Sequence, residues 1–440
     1  MRFAVDLLYL LAAAAYSPVV VYRAVRHKRY RTGWDQRFGK ITRRSPTKKC
    51  IWLHAVSVGE VNAAKTIVKE LENKFGDFEI VISTTTDTGF ARATNLFSEN
   101  HQVFYFPFDF SRTMRRAFSN IRPAICLLME LEVWPNFVQI AEQSNIPIVV
   151  VNGRISDRSF TSYKRVRPLI RKMFGRVPLV LAQTDEYARR FKEIGCPDEK
   201  VIVTGSLKYD TAQITNKIEG ADVLASQLNI NDERLWVAGA TGNDEEKILL
   251  DVYQNLKQQS QFSDLRLAIV PRKPERFDEV AQLIESRGLS LVRYSHIKKL
   301  TTENIEKSII NNQSSIDTVI LGDTMGDLRK FYSLATIIFV GRSLVPMGGS
   351  DMAEAAALGK CTIFGPHAFN FKQTVDALLA DTGAIMVKDK EELLQTMQKC
   401  FSDADFAQSI AKNGQEVIRK NQGATAKTID QIAKFLNTTR

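Results

Sequence analysis

The 440 residues contain neither a Walker-type phosphate loop nor the G-x-G-x-x-G turn of dinucleotide-binding folds, so neither familiar nucleotide signature applies. Cysteine is scarce. The five residues, at 50, 126, 196, 361 and 400, form no C-x-x-C pair and are odd in number. That usage suits reduced cytosolic thiols and offers no zinc site. Five scattered histidines supply no metal-ligand constellation, so no metal site is expected. Internal repeats and low-complexity tracts are also absent.

What is present belongs to a globular protein: 44% apolar and 25% charged residues, in a chain long enough for two or three domains. The formal charge of +11 suggests nucleic acid at first sight, but its distribution argues otherwise. Between Arg23 and Lys49 stand eleven Lys or Arg residues and one acid, Asp35, so this segment alone carries +10. No stacking aromatics interleave basic residues elsewhere, and nucleic acid is not an expected partner. Immediately before the basic segment lies an apolar run, residues 4–22. About twenty helical residues at ~1.5 Å each span a ~30 Å hydrocarbon layer. Asp6 and Pro18 interrupt the run near its two ends, and Ala-Ala-Ala before Tyr16 offers the competing reading of a cleavage site. Positive charge following the run marks the cytoplasmic side. The expectation is an N-terminal anchor over residues 1–22, spanning the inner membrane or lying in its interface, with the rest cytoplasmic. Residues 4–49 would then meet membrane lipids, at roughly 1 kcal/mol per basic residue near acidic headgroups. A solvated linker with incidental charge is the plain alternative.

Short apolar runs alternate with helical patterns along the chain, which favours parallel sheets with right-handed crossovers. Strands are predicted at 50–56, 78–83, 102–108, 124–129, 146–152, 179–183 and 201–204. A polar stretch, 209–220, then marks a joint. A second series follows at 236–240, 265–270, 290–294, 318–321, 337–340, 361–364 and 384–387. The simplest arrangement is α/β: two Rossmann-like domains, 23–211 and 221–440, facing a cleft.

Chemistry collects beyond the carboxyl ends of such strands. The first strand breaks at Ser57 and Gly59, and Glu60 opens the next helix, where a carboxylate can take a proton from a substrate hydroxyl. Ser57 to Glu60 is equally S-x-x-E, a capping box that satisfies orphan backbone amides. Glu130 and Glu132 end the 124–129 strand and Lys208 follows the 201–204 strand, each also readable as an ion-pair member. In the second half, Pro271, Arg272 and Lys273 place basic groups at a strand end, or start a β-turn. Met325, Gly326 and Asp327 follow the 318–321 strand, and Gly326 permits close approach to the main chain. Gly348-Gly349-Ser350 breaks another strand before Asp351, Met352, Ala353 and Glu354 open a helix. Its free amides suit an anion and Glu354 suits ribose hydroxyls, whereas Asp351 also reads as a simple N-cap.

Taken together these residues resemble the 3-deoxy-D-manno-octulosonic acid (Kdo) transferases of lipopolysaccharide synthesis. The likeness covers almost the whole chain. It rests on Trp52-Leu-His-Ala-Val-Ser-Val-Gly-Glu60, Met129-Glu-Leu-Glu-Val-Trp-Pro-Asn136, Gly205-Ser-Leu-Lys-Tyr-Asp210, Pro271-Arg-Lys-Pro-Glu-Arg-Phe277, Gly322-Asp-Thr-Met-Gly326 and Gly365-Pro-His-Ala-Phe-Asn-Phe371. The resemblance implies a metal-independent GT-B glycosyltransferase without cofactor, using CMP-Kdo as donor and a lipid A precursor as acceptor. It implies Glu60 as catalytic base, Glu130 and Lys208 as transition-state-stabilising groups, and CMP contacts at Pro271, Arg272, Met325, Gly326, Asp327 and Asp351 through Glu354. Three stretches depart from the family pattern. Ser350-Asp-Met-Ala-Glu354 stands where His-Asn-Pro-Leu-Glu is usual, Lys273 where a His is usual, and Arg342 where a Gly is usual. An Asp beside a phosphate is unfavourable unless a cation such as Lys273 offsets it. Two other readings compete: a GT-B enzyme using a UDP-sugar, as transferase or epimerase, and a catalytically silent membrane-bound nucleotide binder.

Overall fold

The computed structural model describes residues 2–26, 32–215, 217–231, 233–299 and 317–438. Residues 27–31, the centre of the basic segment, lie outside the described residues. The chain forms two compact units, residues 1–211 with 421–440 and residues 212–420.

In the first unit seven strands make one parallel sheet. They are β1 (Lys49–His54), β2 (Phe78–Thr84), β3 (Gln102–Tyr105), β4 (Ile125–Met129), β5 (Ile148–Gly153), β6 (Leu179–Ala182) and β7 (Val201–Val203). Their order is β3-β2-β1-β4-β5-β6-β7, so the winding reverses between β1 and β4, which pair with Leu53 opposite Leu127. The strands read as continuous apolar runs because helices cover both faces: Ile125-Cys-Leu-Leu-Met129 is buried throughout. Each such Leu or Ile contributes about 1.5–3 kcal/mol on burial. Trp52, with Phe104, Phe118 and Phe137 within 6 Å between ring centres, fills one face. His54 belongs to that core. It is fully buried, bonds Ser83 and stacks on Phe106, and burial depresses it to about 3, so it stays neutral.

The second unit repeats the plan with β8 (Arg234–Thr241), β9 (Leu265–Pro271), β10 (Ser290–Arg293), β11 (Thr318–Leu321), β12 (Ile337–Val340), β13 (Cys361–Phe364) and β14 (Ile385–Met386). Their order is β10-β11-β9-β8-β12-β13-β14, all parallel, with the reversal between β8 and β12.

Two sequence expectations need correction. Residues 221–440 were expected in one domain, yet the final helix, Ala424–Thr438, packs on the first unit. Its Ala424, Ile429 and Ile432 join Val61, Ala64 and Val68 in one apolar cluster. Asp210 fixes the start of this return by accepting the amides of Gly423 and Thr425 at 2.7 and 2.5 Å. The second correction concerns the amino terminus, and only the membrane-spanning form of the expected anchor. Residues Arg2–Arg26 form one helix, α1, which continues through Pro18. Among the described residues, however, no helix is long and apolar enough to cross a membrane. Asp6, which interrupts the apolar run in sequence, docks α1 onto the first unit. Its carboxylate accepts the amide and hydroxyl of Ser111, where helix α5 (Ser111–Ile121) begins, and the Asn136 side chain. Tyr9 adds a bond to Asp109 at 3.0 Å. Burial pushes the Asp109 carboxyl up to about 7, although the Asn136 and Phe137 amides oppose the shift.

Candidate active site

In the first unit the strand-to-helix turn after β1 is built around one carboxylate. Ser57 is the N-cap of helix α3 (Val58–Lys74), and its hydroxyl oxygen accepts the Glu60 amide. The Glu60 side chain turns back, accepting the Val56 amide on one oxygen at 3.0 Å and the Ser57 hydroxyl on the other at 2.8 Å. Glu60 is therefore a cap. It is also a perturbed acid, raised to about 7 by burial and by the charges of Glu130 and Glu132, with the Val56 and Ser57 bonds opposing the rise. A carboxyl poised there can hold or release a proton near neutrality.

Glu130 and Glu132 reach the same turn because β4 is the neighbour of β1 across the point of reversal. Glu130 sits at φ 55°, a left-handed conformation that costs a non-glycine residue roughly 1 kcal/mol or more. Its amide is held by the Val151 carbonyl at 2.9 Å. Glu132 accepts the Trp134 indole N–H at 3.0 Å, and burial followed by Glu130 raises its carboxyl. Lys208 lies after β7, three strands beyond β4, on a short helix, Leu207–Thr211, that packs against α3. Asn152, at the end of β5, places that helix by accepting the Leu207 amide at 3.1 Å. Among the described residues neither Glu130 nor Lys208 sits in an ion pair, which removes the bland reading of both.

In the second unit the loops at the strand ends are tied by two buried acids that sequence reasoning missed. Glu245, on the helix Glu245–Lys257, accepts four backbone amides: Gly242 after β8 and Arg342, Ser343 and Leu344 after β12. Its neighbour Glu246 accepts the Thr241 hydroxyl and takes Arg276 in a two-point pair. The only signal was an Asp-Glu-Glu run after a strand, which reads equally well as acids favouring a helix dipole. Arg342 shows why glycine is usual at its position: its φ is 62°.

The expected donor contacts divide into accessible and occupied groups. Arg272 is exposed at the end of β9, its amide held by the Thr241 carbonyl, and its charge bears on Glu354. Pro271 is buried in β9. Met325 is exposed, and Gly326, at φ 91°, has open space where a Cβ would stand. Asp327 is different. Its carboxylate is engaged by Lys298, Lys330 and the Thr324 hydroxyl, which together hold it at about 2 despite burial. Asp351 is the N-cap of the helix Met352–Ala357 and accepts the Ala353 amide at 3.0 Å. Thus the cap reading holds for Asp351, and that helix is only six residues long. Met352 and Ala353 are buried in the core, which leaves only their main chain to meet a ligand. Glu354 is raised by burial and then by Asp351, while Arg329 and Arg272 oppose the shift. Gly348 and Gly349, at φ 89° and 80°, let this loop lie against Ala368–Asn370: a Cβ on Gly348 would meet the Asn370 amide group at 2.1 Å.

Two parallel, doubly wound seven-stranded sheets define an α/β fold class with two Rossmann-like units. Solved structures of a glycosyltransferase from Rickettsia africae and of a UDP-GlcNAc 2-epimerase from Neisseria meningitidis share the fold. Each has a TM-score of 0.55 at 14% identity, covering 89% and 88% of this chain and 99% and 100% of theirs. A family model described as 3-deoxy-D-manno-octulosonic-acid transferase (kdotransferase) matches residues 32–211. A 3-deoxy-D-manno-octulosonic acid transferase of Haemophilus influenzae is 31% identical over 94% of this chain and 93% of its own. One from Bordetella pertussis is 29% identical over 97% and 99%. The chain belongs to the 3-deoxy-D-manno-octulosonic acid transferase family, and it is a glycosyltransferase enzyme.

Proposed function

We propose that the protein moves Kdo from CMP-Kdo to a hydroxyl of a lipid A precursor by one inverting displacement, with Glu60 as general base. The observation that carries this is Glu60 itself: a half-buried carboxyl, held on both oxygens, on the first helical turn beyond β1 and raised to about 7. The acceptor hydroxyl gives its proton to Glu60 as its oxygen attacks the anomeric carbon. The bond from that carbon to the CMP phosphate breaks, and CMP leaves with the electron pair. Arg272, exposed and uncommitted by its side chain, offsets charge on the departing phosphate, and Lys208 serves that charge or the Kdo carboxylate. Glu130 shares the electrostatic field of the base. In this reading the nucleotide meets Arg272, Met325 and Gly326, and the main chain of Met352 and Ala353. No metal or cofactor takes part, because arginine and lysine supply the positive charge.

The same reading places the protein on the cytoplasmic face of the inner membrane. Its N-terminal helix α1 lies in the interface, since Asp6 and Tyr9 bind one side of it to the first unit while Leu7, Leu8 and Leu11 stay exposed. The test is an assay with CMP-Kdo and lipid A precursor on the wild type and Glu60→Gln. Turnover should fall ~10²–10⁴-fold in a variant that still gains thermal protection from CMP. Near-normal turnover would remove Glu60 from this role. Protection by UDP in place of CMP would favour the UDP-sugar reading instead.

A further inference from the structure

Helix α5 carries Arg112, Arg115 and Arg116 in its first half and no acid in its first turn, the end where a helix dipole disfavours cations. Asp6, arriving from α1, supplies the missing acidic cap at Ser111, and Arg115, whose guanidinium reaches Ser111, stands beside the docked amino-terminal helix. Arg112 and Arg116 are one turn apart and exposed, and with Lys40, Phe38, Thr113 and Asp35 they line a cavity of about 360 Å³. The Arg116 guanidinium is steadied by the Phe38 carbonyl at 3.3 Å. Lys40 pairs with Asp35 at 2.9 Å, so the cavity keeps a net positive charge from the two arginines. Its wall continues into an aromatic cluster, exposed Trp34 and Phe38 with half-buried Phe108, whose rings lie 5.8–6.1 Å apart between centres. Aromatic rings beside cations and an exposed apolar helix are the chemistry of a membrane interface.

We infer that this cavity is a binding site for the phosphate headgroup of an anionic membrane lipid, held by Arg112 and Arg116 while Trp34 and Phe38 enter the headgroup layer. The inference rests on the interfacial placement of α1 proposed above and adds Arg112 and Arg116, which lie outside residues 4–49, as the groups that hold the headgroup. Its occupant is a lipid phosphodiester, because the charged cavity and the apolar surface adjoin, whereas a soluble phosphate would use the charge alone.

The experiment is cosedimentation of the full-length protein with phosphatidylcholine vesicles, with and without phosphatidylglycerol. The variants are Arg112→Gln/Arg116→Gln and a control that removes two exposed charges elsewhere, Lys388→Gln/Lys412→Gln. The wild type should prefer the anionic vesicles. The arginine variant should lose roughly 30-fold in partitioning to them, as two surface cations are worth, with unchanged circular dichroism. The control should stay within about threefold of the wild type. Equal binding by the arginine variant and the wild type would overturn the site and leave the membrane reading standing. No binding of the wild type to any vesicle would overturn both. Displacement from the vesicles by millimolar inorganic phosphate would show a solute site and overturn the lipid assignment.

Discussion

Glu60 and Glu245 occupy matching places in the two units, each on the first turn of the helix that follows the first strand of its sheet. Their surroundings differ. Glu245 is wholly buried and accepts four backbone amides from two loops, so every lone pair has a use. Glu60 accepts one amide and one hydroxyl, remains partly exposed, and shares its field with two other carboxylates. One fold position has thus yielded a structural tie in one unit and a group able to exchange protons in the other. Spare acceptor capacity and access to solvent separate the two, not the position itself.

The largest effect is expected at Glu245. In Glu245→Ala four amides lose their acceptor, and at about 1–3 kcal/mol each, partly recovered by water, the loss should reach roughly 4 kcal/mol. Urea unfolding with hydrogen exchange at 241–246 and 341–344 would measure it. A loss under about 1 kcal/mol would mean those loops hold themselves.

Glu60→Gln should behave in the opposite way. A carboxyl raised from 4.5 to about 7 favours the folded state when protonated, so its stabilising contribution is complete below about pH 4.5 and is lost as pH rises to 7. The glutamine variant escapes that loss. It should match the wild type at pH 4 and exceed it by about 1–3 kcal/mol at pH 8, after allowance for solvent screening. Thermal unfolding at the two pH values separates this from a uniform shift, which would place Glu60 among the structural ties.

A smaller effect sharpens the contrast. Ser57→Ala removes both the cap of α3 and one donor to Glu60, costing about 1 kcal/mol in stability. Because that bond lowers the Glu60 carboxyl, its loss should move the acidic limb of the activity profile to higher pH. An unmoved limb would detach Ser57 from the base.

Much of this was legible in the sequence. Among the described residues the fourteen strands lie within or across the apolar runs expected, because most of them are buried on both faces and leave unbroken signals. The S-x-x-E spacing announced the Ser57–Glu60 cap, and the paired order of β1 and β4 brought Glu130 to it. What stayed hidden depends on distant partners. Nothing within 424–438 says that the helix returns to α3, since an apolar stripe records that one face is buried and not against what. Asp6 looked like a flaw in an apolar run until Ser111 and Asn136 supplied its partners. Likewise Asp327 and Asp351 have the residue types of ligands, but neighbouring lysines occupy one and a helix start occupies the other.

The most direct measurement is the pH dependence of kcat/KM for the wild type with CMP-Kdo and a lipid A precursor. A base raised to about 7 predicts activity that climbs tenfold per pH unit below neutrality and levels off above it, half-maximal near pH 7. Activity already level from pH 5 upward would contradict the account, because the group accepting the proton would then be an ordinary carboxylate or none at all.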